Sequence, residues 1–160
     1  MIPKKIHQCW FGDSDIKPQF QKYIEGIKKI MPDYDYKLWT NKDLPNTKFV
    51  RECLKFKKYA LLSDYMRMKI LEEMGGFYLD TDVEVLKRFD DFLNNDNLIG
   101  YECEVGVPRP ISNAIIGCKE HSMFIKENLD SFVKSLNTRI KPYYGVKTIK
   151  GYQYGYHGFF

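Results

Sequence analysis

The chain has 160 residues, which is long enough for one domain with a substantial hydrophobic core. Hydrophobic residues make up 44% of the chain and charged residues 29%, the balance of a globular protein rather than a disordered one. The net charge of +4 is small and the basic residues are dispersed, so the composition does not favour a nucleic-acid-binding protein. No apolar run approaches the length needed to span a membrane.

The four cysteines lie far apart, with neither a Cys-x-x-Cys pair nor the spacing of zinc ligands: Cys9, Cys53, Cys103 and Cys118. We interpret them as reduced and mostly buried thiols. The first residues contain no apolar signal segment. These features predict a cytoplasmic protein, and they are compatible with peripheral association at the inner face of a membrane. They indicate no oligomeric state.

Hydrophobic periodicity, taken in chain order, predicts an alternation of strands and helices. The predicted strands cover residues 4–10, 34–40, 77–79, 98–102 and 113–118. The predicted helices cover residues 18–31, 46–54, 57–74, 90–94 and 120–136. Asn41 is expected to cap a short turn after the second strand. No repeat or linker divides the chain, so we predict one α/β domain over residues 1–160, with residues 139–160 as an irregular tail.

The segment that begins at Gly75 and Gly76 is expected to organise the rest of the chain. The two glycines allow the preceding helix to end abruptly and the backbone to pass close to another one. The apolar run 77–79 predicts a strand that is buried on both faces. Residues 83–86 resume an apolar pattern, which predicts a second strand there.

Two carboxylates, Asp80 and Asp82, lie between these two predicted strands. In an extended chain alternate side chains share a face, which would place the two carboxylates about 7 Å apart. That spacing suits one divalent cation, bound directly by one carboxylate and through water by the other. The alternative is a simple polar turn, but two like charges at the edge of a core repel unless a cation joins them.

Two other positions are candidates for a binding site. Asp64 and Arg67 lie on one face of a helix that is otherwise apolar, so the pair must face a polar pocket or bear a cost of desolvation. The alternative is a local ion pair without function. Trp10 ends the first predicted strand just before Phe11 and Gly12. Its ring is suited either to stacking on a nucleobase or to packing in the core.

Three segments carry a family resemblance, in this order: residues 6–12 (Ile-His-Gln-Cys-Trp-Phe-Gly), 63–67 (Ser-Asp-Tyr-Met-Arg) and 75–82 (Gly-Gly-Phe-Tyr-Leu-Asp-Thr-Asp). Together they resemble the Asp-x-Asp glycosyltransferases of the capsular-polysaccharide type. The relatives of that family include yeast Golgi mannosyltransferases and, more distantly, the catalytic domains of clostridial glucosylating toxins. The resemblance covers at least residues 2–118. It implies the GT-A fold, a Rossmann-like α/β domain that binds nucleotide-sugars, here shortened at its C-terminus.

The resemblance also implies a donor site. By matching position, Trp10 would stack on the nucleobase, and Asp64 and Arg67 would hold the donor sugar. Tyr78 would lie beside the donor. Asn113 would align with a polar residue near the sugar.

For the metal, the resemblance implies Mn²⁺ or Mg²⁺ at the donor diphosphate. Asp82 would be its direct ligand, and Asp80 would bind the ribose or a metal-bound water. Family members commonly close with a His and a following Trp that add a ligand. Here the tail offers His157 without a Trp, and it is expected to close over the donor site.

The function implied is metal-dependent, retaining transfer of a hexose from a UDP- or GDP-linked donor to a saccharide acceptor, in surface or capsular polysaccharide synthesis. Asp64, Arg67 and Asp82 are the expected catalytic residues. The alternative is a non-catalytic module that binds a nucleotide-sugar and a metal, which the departure in the tail favours. Nucleic acid is not an expected partner.

Overall fold

A computed structural model describes residues 1–104 and 107–139. Its strands are β1 (Lys5–Cys9), β2 (Asp35–Trp39), β3 (Gly76–Leu79), β4 (Asn97–Glu104) and β5 (Val107–Cys118). Its helices are α1 (Pro18–Ile30), α2 (Lys48–Lys55), α3 (Tyr59–Met74) and α4 (Met123–Arg139), with short 3-10 turns at Asn41–Asp43 and Asp90–Phe92. The predicted α/β class is confirmed. Within the described residues, no helix combines the length and apolar character that crossing a membrane requires.

The five strands form one sheet in the order β2-β1-β3-β5-β4. Strand β1 is parallel to both β2 and β3, whereas β5 is antiparallel to β3 and to β4. The carboxyl ends of the three parallel strands therefore lie at one edge of the sheet. Ligand sites in α/β sheets collect at this edge.

Each face of the sheet has its own apolar core. Ile27 and Met31 of α1 and its C-terminal turn pack with Phe77 and Leu79 of β3 on one face. On the other face, Tyr78 packs with residues of α2, α3 and α4. All four residues of β3 are buried, which confirms the prediction of a strand covered on both faces. The alternation along β3 directs Tyr78 toward α3.

The two glycines before β3 act as predicted. Gly75 and Gly76 have φ angles of +58° and +98°, which L-residues with side chains rarely adopt. A Cβ atom on Gly75 would lie 2.6 Å from the backbone nitrogen of Glu120, and one on Gly76 would lie 2.7 Å from the carbonyl oxygen of Lys5. Both positions therefore need glycine for conformation and for close backbone approach.

The predicted strand at residues 83–86 is wrong. After Leu79 the chain enters a turn, in which the Val83 amide donates to the Asp80 carbonyl at 3.1 Å, and residues 83–86 pair with no strand among residues 1–104 and 107–139. Val85 is buried and Leu86 is exposed. The apolar pattern therefore reflects packing of side chains into the core and not the hydrogen-bond ladder of a strand. Asp80 and Asp82 consequently do not alternate along an extended strand, and the inferred spacing of their carboxylates has no basis in strand geometry.

The cap of the turn after β2 is also one residue earlier than predicted. Thr40 forms a capping box with Asp43, whose carboxylate accepts from the Thr40 amide at 2.8 Å. The side chain of Asn41 instead bonds both backbone groups of Gly12, at 3.0 and 3.1 Å. Asn41 therefore tethers the loop that follows β1.

Candidate active site

A cavity of about 490 Å³ opens at the edge where β1 and β3 end. Its walls come from the end of β1 and the segment after it, the start of α1, α3 as far as Arg67, the end of β3 with the turn after it, and one residue of β5. The lining residues are Cys9, Trp10, Phe11, Ser14, Phe20, Tyr59, Ala60, Leu61, Ser63, Asp64, Arg67, Tyr78, Asp80, Thr81, Asp82 and Asn113. The structure thus brings every predicted site residue to this cavity except His157, which lies outside the described residues.

Arg67 is at the centre of the polar wall, with only 5% of its side chain exposed. Its Nη2 lies 3.0 Å from Asp64 Oδ1 and 3.1 Å from Asp80 Oδ1. Its Nη1 donates to the carbonyl oxygen of Asn113 at 2.5 Å, and its guanidinium carbon lies 4.6 Å from the centre of the Tyr78 ring. The predicted pair of Asp64 and Arg67 therefore faces a polar pocket, and Asp80 joins it.

The two aspartates that contact Arg67 are each held by a second group. Tyr78 donates its hydroxyl to Asp80 Oδ1 at 3.0 Å, and Asn113 Nδ2 donates to Asp64 Oδ1 at 3.2 Å. Burial raises the pKa of Asp80, although the charge of Arg67 and the hydrogen bond from Tyr78 oppose the shift. A fixed cation between two hydrogen-bonded carboxylates makes this wall preorganised.

Asp82 differs from Asp80 in its surroundings. Its side chain is exposed at the cavity, and it forms no hydrogen bond or ion pair with any residue that the structure describes. Within residues 1–104 and 107–139, no three His, Cys, Asp or Glu side chains are grouped so that they could hold a metal ion. The chemistry nevertheless fits a hard cation that takes one carboxylate from the protein and its other oxygens from a diphosphate and water.

Trp10 lies directly after β1 and also lines the cavity. Its ring is half-buried, its Nε1 donates to the Ser14 carbonyl at 2.7 Å, and it meets the Phe20 ring edge-on at 6.0 Å. Gly12, with a φ of +103°, is close to the cavity residue Tyr59, whose ring would lie 2.8 Å from a Cβ atom on Gly12. The indole is therefore held in place while part of its surface stays accessible.

Sequence reasoning missed a buried polar chain beneath the Asp80 turn. Gln8 is fully buried, and its Nε2 donates to the Asp80 carbonyl at 3.1 Å. Its Oε1 accepts from the Tyr36 hydroxyl at 2.8 Å. The available signal was a polar amide inside the apolar strand β1, because a buried amide requires partners. Gln8 thus fixes the backbone from which Asp80 and Asp82 project.

His7, also in β1, is buried and neutral. Burial lowers its pKa to about 4. Its Nδ1 accepts from Trp39 Nε1 at 3.3 Å, so its Nε2 carries the proton and donates to the Gly75 carbonyl at 3.0 Å. His7 therefore ties the glycine turn to β1 and β2 and does not reach the cavity. The free cysteines Cys9, Cys53 and Cys118 are buried, as predicted.

Comparison with known proteins agrees with this geometry. Residues 17–102, more than half of the chain, match the family described as the glycosyltransferase sugar-binding region containing the DXD motif. The chain belongs to this glycosyltransferase family. The match contains α3 and the Asp-x-Asp turn, which supply Asp64, Arg67, Asp80 and Asp82.

Individual relatives agree with the family. An uncharacterized glycosyltransferase of Acanthamoeba polyphaga mimivirus is 38% identical over 101 residues, which are 58% of this chain and 40% of that protein. A mannosyl phosphorylinositol ceramide synthase of Saccharomyces cerevisiae is 28% identical over 152 residues, 90% of this chain and 38% of that enzyme. The chain thus spans about two fifths of the length of these curated relatives.

Among solved structures, the PaToxG glycosyltransferase superposes with a TM-score of 0.71 at 21% identity, over 88% of this chain and 64% of that one. The likeness extends to the fold. The sheet with helices on both of its faces agrees with the GT-A fold that the resemblance implied.

Proposed function

We propose that this protein binds a nucleotide-sugar in the cavity at the carboxyl edge of the sheet and transfers its hexose to a saccharide acceptor. The observation that carries the proposal is the buried Arg67 between Asp64 and Asp80, next to the exposed carboxylate of Asp82. A fixed cation beside carboxylates suits a ligand that combines a diphosphate with sugar hydroxyls.

Each side chain has a role that follows from its surroundings. Trp10 stacks on the nucleobase, since its ring is anchored at one end and accessible at the cavity. Arg67 places fixed positive charge where negative charge develops on the departing diphosphate, in a site that is largely shielded from water. Asp64, held by Asn113 and Arg67, accepts hydrogen bonds from hydroxyl groups of the donor sugar.

Mn²⁺ or Mg²⁺ is the proposed cofactor. Asp82 would hold it directly, because its carboxylate is exposed at the cavity and has no partner in the described part of the chain, and Asp80 would bind ribose or a metal-bound water. When bound, the ion supplies Lewis-acid stabilisation of the leaving diphosphate. The Gln8 bond to the Asp80 backbone orients both carboxylates.

We further propose that the sugar is transferred with retention of anomeric configuration. Both carboxylates on the polar wall, Asp64 and Asp80, pair with Arg67, which makes either of them a poor nucleophile. This favours attack of the acceptor hydroxyl on the same face that the diphosphate leaves. The leaving phosphate then takes the proton.

For substrates, we propose a UDP- or GDP-linked hexose donor and a saccharide acceptor in the synthesis of a surface or capsular polysaccharide, on the cytoplasmic side of a membrane. The name of the yeast relative, a mannosyl phosphorylinositol ceramide synthase, supports a hexose donor. The family resemblance supports the polysaccharide setting.

The proposal is tested by the Mn²⁺ dependence of donor hydrolysis in three proteins: the parent, Asp82→Asn and Glu84→Gln. Asp82→Asn should keep the fold and lose about a hundredfold or more in metal-dependent turnover, because several kcal/mol of Lewis-acid stabilisation depend on that ligand. Glu84, exposed and two residues further along, serves as the matched control and should change turnover only a few-fold.

Two outcomes would contradict this assignment. Metal-dependent hydrolysis that survives in Asp82→Asn would remove Asp82 as the ligand, and equal losses in both variants would indicate a general charge effect. Binding of nucleotide-sugars by the parent without any turnover would favour the alternative, a non-catalytic binding module.

A further inference from the structure

A basic surface lies where α2 ends and α3 begins. Val50 and Cys53 bury one face of α2 in the core. The opposite face carries Lys48, Arg51 and Lys55, which share one side of the helix by their spacing. Three exposed residues continue this surface into the turn, and together the six form what we call the basic corner: Lys48, Arg51, Lys55, Phe56, Lys57 and Lys58.

The basic corner concentrates the charge of the protein. Residues 48–58 contain five basic residues and one acidic residue, Glu52, so their net charge of +4 equals that of the whole chain. Glu52 Oε1 is 3.9 Å from Lys48 Nζ. In the described part of the chain, Lys55, Lys57 and Lys58 form no ion pair. These three charges are therefore open to an anionic partner.

The basic corner also contains one exposed apolar side chain, the ring of Phe56. Phe56 is 61% exposed, and Lys55 Nζ lies 5.4 Å from the centre of its ring. The backbone of the turn is satisfied, since the Phe56, Lys57 and Lys58 amides all donate to carbonyls of α2. The exposed ring is thus held on a defined turn, and its contact with water is unfavourable in free energy.

Lys57 occupies a conformation that costs free energy. Its φ of +53° lies in the left-handed region, where glycine or asparagine would be less strained. A lysine at this position keeps a charge beside Phe56 at the expense of stability. Such strain is a reason to look for function at the residue.

The basic corner is next to the mouth of the cavity. Tyr59, Ala60 and Leu61 directly follow Lys58 in the first turn of α3, and all three line the cavity. A partner bound at the corner would therefore lie close to these three cavity residues.

We propose that the basic corner docks the protein onto an anionic membrane surface. The lysines contact lipid headgroups, and Phe56 enters the boundary between headgroups and acyl chains. Phenylalanine has no hydrogen-bonding group. Its ring would find apolar contacts at this membrane boundary, whereas a purely polar polyanion would offer it none. Resting on the proposed function, the docking implies an acceptor saccharide that is carried at the membrane surface.

The test is sedimentation of the intact protein with vesicles of phosphatidylcholine alone or mixed with phosphatidylglycerol. The parent should bind the mixed vesicles and not the neutral ones. A double variant, Lys55→Gln with Lys57→Asn, should lose roughly tenfold to thirtyfold in partition coefficient, and asparagine tolerates the positive φ. The control, Lys28→Gln with Lys29→Gln, removes two charges that are also exposed, from α1, and should bind as the parent does. Phe56→Ser should weaken binding at constant charge.

Equal binding to neutral vesicles, equal losses in both double variants, or tighter binding to a single-stranded oligonucleotide than to anionic vesicles would each overturn the docking. Donor hydrolysis in the absence of vesicles separates this proposal from the previous one. Hydrolysis without vesicle binding overturns the docking alone. Vesicle binding without hydrolysis supports the docking and counts against the proposed enzyme activity.

Discussion

Two clusters in this protein contain the same set of side chains, one arginine, two aspartates and one tyrosine, but the arginine is buried in one and partly exposed in the other. In the cavity, Arg67 lies between Asp64 and Asp80 and over the Tyr78 ring, and Tyr78 donates to Asp80. On the surface, Arg88 contacts two aspartates and lies over the Tyr34 ring, and the Tyr34 hydroxyl donates to one of those aspartates. The surface aspartates are Asp33 and Asp90. We call the two groups the cavity cluster and the surface cluster.

The two clusters differ in solvent exposure, and the pKa values of their aspartates differ accordingly. The side chain of Arg67 is 5% exposed and that of Arg88 is 37% exposed. Burial raises the pKa of Asp80 in the cavity cluster. On the surface, hydrogen bonds from Lys4 and Arg88 lower the pKa of Asp33 to about 2. The charged and hydrogen-bonding partners favour the ionised carboxylate in both clusters, but in the cavity the desolvation of Asp80 outweighs them.

This difference in burial indicates that the surface cluster has a structural role and the cavity cluster a role in binding. The surface cluster ties the segment after the Asp-x-Asp turn to the end of α1, since Arg88 also donates to the Ile30 carbonyl at 3.1 Å. The cavity cluster bears a cost of desolvation to hold a cation at the wall of a cavity. A cluster that is costly and open to a ligand is a candidate for function.

Removing the arginine should have the largest effect. Arg67→Met leaves two partly buried carboxylates without their cation, and we expect a loss of about 3 kcal/mol in the free energy of unfolding. Arg88→Met is the matched change in the surface cluster and should cost much less, because water and Lys4 still solvate the two exposed aspartates. Urea denaturation of the three proteins measures both effects. Equal losses would show that burial does not distinguish the clusters.

A milder change should separate function from stability. Arg67→Lys keeps the charge but loses the planar fork that reaches both aspartates and the Asn113 carbonyl. Turnover of the donor should fall about tenfold or more, beyond any change in melting temperature. Arg88→Lys should leave turnover unchanged. Near-normal turnover in Arg67→Lys would mean that Arg67 serves only to pair with Asp64.

The cavity cluster shares its cavity with the half-buried indole of Trp10. Trp10→Ala should therefore weaken binding of the free nucleotide by ~1–3 kcal/mol, with little effect on folding. Calorimetric titration measures the loss. In a Trp39→Phe background Trp10 is the single tryptophan, so nucleotide binding should change its fluorescence. Unchanged affinity in Trp10→Ala, or failure of that variant to fold, would place Trp10 in the core.

The comparison also shows what the sequence could and could not predict. Apolar periodicity located the long helices and at least part of every strand, because burial imposes that pattern locally, but the prediction began β5 at residue 113 and missed its first half. The pair of Asp64 and Arg67 was found in the same way, from its spacing on one helix. The contacts of Asp80 with Arg67, and of Gln8 with Tyr36, join distant segments, and no local pattern encodes them.

The incorrect strand prediction at residues 83–86 also arose because a local pattern does not encode contacts between distant segments. Val83 and Val85 alternate with a polar residue and do pack inward, yet a strand also needs a neighbour to bond, and no described strand lies there. Likewise Asn41 is a residue type that often caps helices, but its side chain forms hydrogen bonds with the backbone of Gly12, in a distant segment. Local chemistry shows that a side chain needs a partner, and the topology decides which partner it has.

The smallest expected effect is the pH dependence of the surface cluster. The pKa of Asp33 is about 2 in the folded protein and 3.8 without its partners, so the ionised carboxylate favours folding. That contribution is present above the unfolded value and is lost as the pH falls through the folded value. Asp33→Asn should therefore show a shallower fall in unfolding free energy between about pH 4 and pH 2. Asp91→Asn removes an exposed aspartate with no ion pair in the described chain, and its fall should match the parent. A parent-like fall in Asp33→Asn would mean that Lys4 and Arg88 do not stabilise that carboxylate in solution.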